Sequence, residues 1–237
     1  MYLAPNLIHS SSLVKIYFKK YYKYMADYIR ARTENQKEER MAQIKEVADR
    51  LFKTLPYTDI TISTIAENLG WSRANLYKYA TTKEEIYLDI EQDRMKEYFS
   101  SLLTIFPEGC RFSAETVADI WAAQINAHQD YFIYSAFLLT IIERNVTVER
   151  LTQFKKTFYD FADSIKKRLA AALEISEEDA NTLNMRVINF GTTYLTDCTK
   201  NPLIQEALRI LKITPQPKNI LSDVRDFILM NISWIKK

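Results

Sequence analysis

Apolar side chains recur every three or four residues along most of this chain, and the runs are separated by polar capping residues rather than hairpin turns. Thr33 and Gln36 form a capping-box signature ahead of Ile44, Val47, Ala48, Leu51 and Phe52, which predicts a first helix ending near Thr54, before Pro56. Thr61 caps a short second helix whose Ile62, Ile65, Ala66 and Leu69 face inward, and Gly70 stops it. Ser72 opens a third helix through Tyr79. Thr82 with Glu85 launches a fourth through Ile86, Ile90, Met95, Phe99, Leu102 and Phe106, which Pro107 and Gly109 close.

Beyond that punctuation the pattern predicts a fifth helix from Ser113 to about His128 and a sixth from Asp130 to about Glu143. A long seventh runs from Thr147 to about Leu173 on the stripe Val148, Leu151, Phe154, Phe158, Phe161, Ile165 and Leu169. Ser176 with Asp179 caps an eighth to about Thr199, Asn201 and Pro202 begin a short ninth, and the last spans about Ser222 to Trp234. Before all of these, Leu13, Val14, Tyr17, Phe18, Tyr21 and Tyr24 alternate with Lys15, Lys19, Lys20 and Lys23 as a basic amphipathic helix. That segment reads either as an arm for DNA or a membrane surface or, the reading favoured here, as translated sequence upstream of a start at Met25, where composition changes.

Composition sharpens the class. Three glycines and six prolines among 237 residues leave few places for tight turns, while 47% hydrophobic content is ample for a core. The expectation is an all-α chain in three parts: an extension over 1–24, an N-terminal three-helix DNA-binding domain over 33–88, and a larger helical domain over 89–237. A net charge of +2 means that any nucleic-acid surface is a local patch. Cys110 and Cys198 lie far apart with no Cys or His at ligand spacing, so neither a metal site nor a cofactor is expected. The chain lacks a run of 18 apolar residues or an export signal, which gives the expectation of a cytoplasmic protein without a membrane partner.

The informative block is ITISTIAENLGWSRANLYKYATTKEEI: a short helix, a Gly-containing turn and a second short helix within about twenty residues. Packing Leu69 against Leu76 leaves Ser72, Arg73, Asn75 and Lys78 on surfaces available to DNA. No acidic residue falls between Glu67 and Glu84 to repel phosphate.

On these residues the chain resembles the TetR family of bacterial one-component transcription regulators. The resemblance covers Thr33 to about Leu88 and is carried by Leu51-Phe52, Ile60-Thr61, Ile65-Ala66, Leu69-Gly70, Ser72-Arg73, Leu76-Tyr77, Tyr79 and Lys83-Glu84-Glu85. It departs at Trp71, where a small aliphatic is usual, at Ala74-Asn75, and at Ala80, where Phe is common. The resemblance implies that Thr61, Tyr77, Tyr79 and Lys83 touch phosphates and that Ser72, Arg73, Asn75 and Lys78 lie at or near the major groove. The chemistry agrees: Arg can fork onto guanine, Asn onto adenine, and hydroxyls with a Lys at a helix start suit phosphate. For Tyr77 and Tyr79, packing against the first and fourth helices is the alternative.

The resemblance also implies a C-terminal ligand pocket and a homodimer through the last long helices. Trp121, Gln124, Ile125 and His128 share one side of the fifth helix, with Phe132 and Phe137 following; they are either a pocket wall for a small-molecule effector or ordinary core. Val187, Phe190, Tyr194, Phe227 and Trp234 are candidates for the dimer interface, together with Gly191, which marks a close helix approach. The expected function is a repressor released from a palindromic operator, double-stranded DNA, by that effector. The rivals are a ligand-independent nucleoid or cell-division DNA-binding protein on the same scaffold and, with only two histidines to supply chemistry, an all-helical enzyme; no catalytic residue is expected.

Overall fold

In a computed structural model, the structure describes residues 35–196 and 202–237. The amphipathic pattern over 1–24, the start at Met25, the cap at Thr33 and Cys198 therefore lie outside the described residues. The described chain is helical throughout, as its periodicity predicts, and divides into two compact units that meet at Tyr79 and Ala80.

The first unit holds α1 (35–54), a 3₁₀ turn at Tyr57–Asp59, α2 (Ile62–Asn68) and α3 (Arg73–Leu76). Its core is the inward stripe of α1, Ile44, Val47, Ala48 and Leu51, with Ile60, Ile65, Ala66 and Leu76. The second unit holds α4 (Lys83–Ile105), α5 (Ala114–Ala127), α6 (Gln129–Thr140), a 3₁₀ turn at Ile142–Arg144, α7 (Val148–Leu173), α8 (Glu177–Leu195), α9 (Pro202–Leu211) and α10 (Ile220–Ile235). In it α4 packs on α5, α6 and α7, α8 packs on α6, α7 and α10, and α10 pairs extensively with α5.

Local chemistry explains where these helices start. Thr61, Ser72, Thr82, Ser113, Thr147, Ser176 and Asn219 each accept the backbone N–H three residues on, which satisfies one of the donors a helix start leaves open. The Glu85 carboxylate reaches back to the Thr81 N–H at 2.7 Å, one residue earlier than a simple capping box would place it. Helix ends are less regular. The third helix stops at Leu76 rather than Tyr79, and the eighth at Leu195 rather than near Thr199.

The second unit's core is an aromatic cluster built on α4. Tyr98 stacks on Tyr131 at 5.0 Å, meets Phe132 edge-on at 5.0 Å, and accepts a hydrogen bond from the Trp121 indole N–H at 2.9 Å. That bond lets two aromatic groups with polar tips be fully buried. Phe99 stacks on Phe161 of α7, and Phe106 meets Trp121 of α5 edge-on.

Gly191 of α8 sits against Phe132 of α6; a Cβ there would lie 2.9 Å from the ring's Cδ1 and Cε1. Phe132 is fully buried among Tyr98 and Tyr131, so admitting a Cβ requires a shift within a packed ring cluster. Gly191→Ala should therefore lower the denaturant midpoint of the full-length protein, an overpacking cost of about 1–3 kcal/mol outweighing the roughly 1 kcal/mol that Ala gains over Gly in a helix. In a Phe132→Leu background the same substitution should become neutral or stabilising. Equal effects in both backgrounds would show that the ring contact does not matter.

Candidate nucleic-acid interface and ligand cavity

The turn between α2 and α3 is built by Gly70. Its φ of +68° lies in the left-handed region, where a Cβ is unfavourable. The Gly70 N–H donates to the Glu67 carbonyl at 3.0 Å and the Trp71 N–H to the Ala66 carbonyl at 2.8 Å, the paired bonds that end a helix and redirect the chain. Ser72 then caps α3 through the Asn75 N–H at 3.3 Å. Beyond Leu76 the chain continues as a tighter turn, with the Lys78 N–H on the Asn75 carbonyl and the Tyr79 N–H on the Leu76 carbonyl.

This geometry sorts the side chains. Leu76 is fully buried and Leu69 half-buried, whereas Ser72, Arg73, Ala74, Tyr77 and Lys78 are exposed and Asn75 is half-buried. Thr61 is exposed, but its hydroxyl also takes the Thr64 N–H at 3.1 Å, so it serves the helix cap as well as any partner. Tyr77 is 53% exposed, with its ring available. Tyr79 is half-buried and leans on Trp71, ring centroids 5.8 Å apart.

Trp71 packs between Tyr79 and the Arg40 guanidinium, which lies 5.4 Å from the indole centroid. Residues of α1, Lys37 and Arg40 among them, border one cleft with Lys78 and Tyr79. Sequence reading passed over Lys37 and Arg40 because, in a run of alternating charges, they look like an ordinary solvated helix face. The signal was Trp71, a large ring where the turn needs none. Lys83 belongs to the second unit, half-buried at the first position of α4.

Within the second unit, a cavity of about 160 Å³ lies among α4, α6, α7 and α8. Glu91 lines it from α4, Tyr131, Ser135 and Leu138 from α6, Phe154 and Phe158 from α7, and Met185 and Asn189 from α8. Glu91 is fully buried. One carboxylate oxygen accepts the Ser135 hydroxyl at 2.6 Å, and the other finds no hydrogen-bond partner among the described residues. Burial drives its pKa well above the usual carboxylate range, against the smaller opposing pulls of Ser135 and Arg94. Burial likewise raises the Tyr131 phenol, with the Glu91 charge adding to the shift.

None of Trp121, Gln124, His128, Phe132 and Phe137 borders this cavity. Trp121 and Phe132 are core, Gln124 and Phe137 are half-buried, and His128 forms the junction of α5 and α6, where burial lowers its pKa. On α8, Val187 and Gly191 point into the unit's own core, so the close approach read from Gly191 is to α6 of the same chain and neither residue is available to a partner. Phe190, Tyr194 and Phe227 do come together, while Trp234 lies further along α10. The Phe190 and Phe227 rings stack at 3.9 Å, Tyr194 stacks on Phe190 at 5.4 Å, and Arg186 covers one face of Trp234. Met230 and Trp234 remain 60% exposed.

Comparison with known proteins places both units. The family profile described as "Bacterial regulatory proteins, tetR family" matches residues 44–90, and the one described as "Tetracyclin repressor-like, C-terminal domain" matches residues 92–233. No curated protein sequence matches the chain. Among solved structures, the fatty acid degradation regulator FadR from Bacillus halodurans is similar with a TM-score of 0.54 and 14% identity, over 81% of this chain and 93% of that one. A transcriptional regulator of the TetR/AcrR family from Thermobifida fusca is similar with a TM-score of 0.54 and 15% identity, over 82% and 96%. At such identities the likeness speaks for the fold, and the profile covering most of the chain speaks for its kinship. A helix-turn-helix built on Gly70, followed by a helical unit of matching type, identifies the chain as a member of the TetR family of DNA-binding transcription regulators.

Proposed function

We propose that the protein is a homodimeric repressor that grips a palindromic operator through α3 and releases it when a small molecule enters the second unit. The observation that carries this reading is the exposed strip of Ser72, Arg73, Tyr77 and Lys78 on a helix anchored from behind by buried Leu76. The DNA-binding domain is taken as 33–88, to include Lys83, and the regulatory domain as 89–237. Arg73 and Asn75 read base edges. Thr61, Ser72, Tyr77, Lys78, Tyr79 and Lys83 contact phosphate or line the groove, with the open N–H groups at the start of α4 assisting Lys83. The effector site is the cavity beside Glu91 rather than the side of α5, because that cavity combines an apolar wall with a few buried polar groups.

The dimer interface is the outer face of α8 and α10. Residues 223, 227, 230 and 234 share one stripe of α10, and Phe227 joins it to Phe190 and Tyr194 of α8. Apolar rings left open to water beside a polar rim are the usual core of a two-fold interface. Two recognition helices then meet half-sites roughly 34–36 Å apart, or a multiple of that spacing.

Two experiments test these assignments. Lys83→Ala should weaken operator and random DNA alike and lower the salt slope by about one unit, whereas Arg73→Ala should cost roughly 1–3 kcal/mol at the operator and relax discrimination at one position per half-site. Binding titrations against the operator and single-base variants at several salt concentrations separate the two. If Arg73→Ala weakens every sequence equally, Arg73 is a phosphate contact. For the dimer, Trp234→Ala should raise the dissociation constant at least about tenfold in sedimentation equilibrium, since an aromatic anchor is lost twice across a two-fold axis. An unchanged dimer would move the interface elsewhere.

A further inference from the structure

The cavity's chemistry narrows what it holds. Its wall is largely apolar and aromatic, yet one fully buried carboxyl interrupts it, with an oxygen that no donor among the described residues meets. A buried acceptor left in that state is costly, and more so if it is charged. The other charged group on the wall, Lys155, is committed to Glu143 of the 3₁₀ turn at 2.5 Å. Arg94 on α4 acts on Glu91 more weakly than the Ser135 hydrogen bond does. From α6 the facing titratable group is the Tyr131 phenol, bonded to Ser135, and from α7 it is Tyr159; α8 contributes the neutral Asn189 and Thr192. The cavity wall therefore has one acidic group without a matching positive charge.

We infer that this cavity is a site for a small organic cation, a protonated amine on a body no larger than a single ring, with Glu91 as its counter-ion. The inference rests on reading the second unit as the ligand-binding half of the protein. An ammonium group supplies the hydrogen bond that the second carboxylate oxygen lacks, and its charge can lie over the Tyr131 or Phe158 ring. The volume of about 160 Å³ sets the size limit, since a cavity of about 150 Å³ accommodates benzene. An anionic ligand would meet the one group in the wall least suited to it. Burial pushes the Glu91 carboxyl toward its neutral form and an ammonium ion beside it pulls it back toward the charged one, so docking such an ion should release protons to solvent.

Isothermal titration of the full-length protein, without DNA, tests this with benzylamine, benzyl alcohol and benzoate as probes at pH 7 in two buffers of different ionisation enthalpy. Benzylamine should bind at least about tenfold more tightly than the other two, the scale of one charge-assisted hydrogen bond, and bind with net release of protons. Glu91→Gln, checked for helicity by circular dichroism, should abolish the proton release and weaken benzylamine at least about tenfold while leaving benzyl alcohol unaffected. Benzyl alcohol or benzoate binding as tightly as benzylamine, or benzylamine binding without proton release, would overturn the inference, as would no binding at all; these arms use the unaltered protein and stand even if the variant fails to fold. Because DNA is absent from the titration, such a failure leaves the operator reading to its own test.

Discussion

The second unit is organised around α4, whose first turns are enclosed. From Glu85 to Glu91 all but Asp89 are buried, on every side of the helix, and among them is Glu91, a carboxyl that water would otherwise hold; past Met95 the helix keeps an exposed face of Lys96, Glu97, Ser100 and Thr104. Enclosure of this kind demands that each polar group find a partner inside. Tyr98 does so with Trp121, Glu85 with the Thr81 backbone, and Glu91 only in part, with Ser135. The aromatic cluster and the half-satisfied carboxyl follow from the same decision to wrap one helix with α5, α6 and α7.

That enclosure also explains what the sequence made legible. Helix starts were readable because a cap is a local bargain between one hydroxyl or amide and a backbone N–H three residues away, as at Ser113, Thr147 and Ser176. The Gly70 turn was readable because only a residue tolerant of positive φ suits it. Faces were harder. The stripe Ile86, Ile90, Met95, Phe99 and Leu102 is buried, but so are Tyr87, Glu91 and Tyr98, which a single-stripe reading assigns elsewhere. On α8, Val187 and Gly191 face inward while Phe190 and Tyr194 stay half-exposed, a split that depends on Phe132 of α6 fitting against Gly191, a contact between residues 59 positions apart.

Both candidate sites show the same split. On the helix-turn-helix, the exposure of Ser72, Arg73 and Lys78 follows from a short-range pattern around Leu76 and was legible in the sequence, whereas Asn75 is half-buried and the choice for Tyr77 between packing and exposure needed the structure. The cavity does not announce itself, since Glu91 and Ser135 are separated by 44 residues and each looks like an ordinary solvated position on its own helix. A buried acid within an apolar run is visible only once the helices around it are in place.

The continuity of α4 has a mechanical corollary. Lys83 and Glu91 ride on one helix, eight residues and about 12 Å apart, and no proline or glycine interrupts it between Lys83 and Ile105. A stiff rod of this kind has nowhere to dissipate a displacement within its length. Any displacement of the Glu91 wall is carried along the rod to Lys83, so the lining of the bundle's interior and the charge at its tip are two readings from a single pointer.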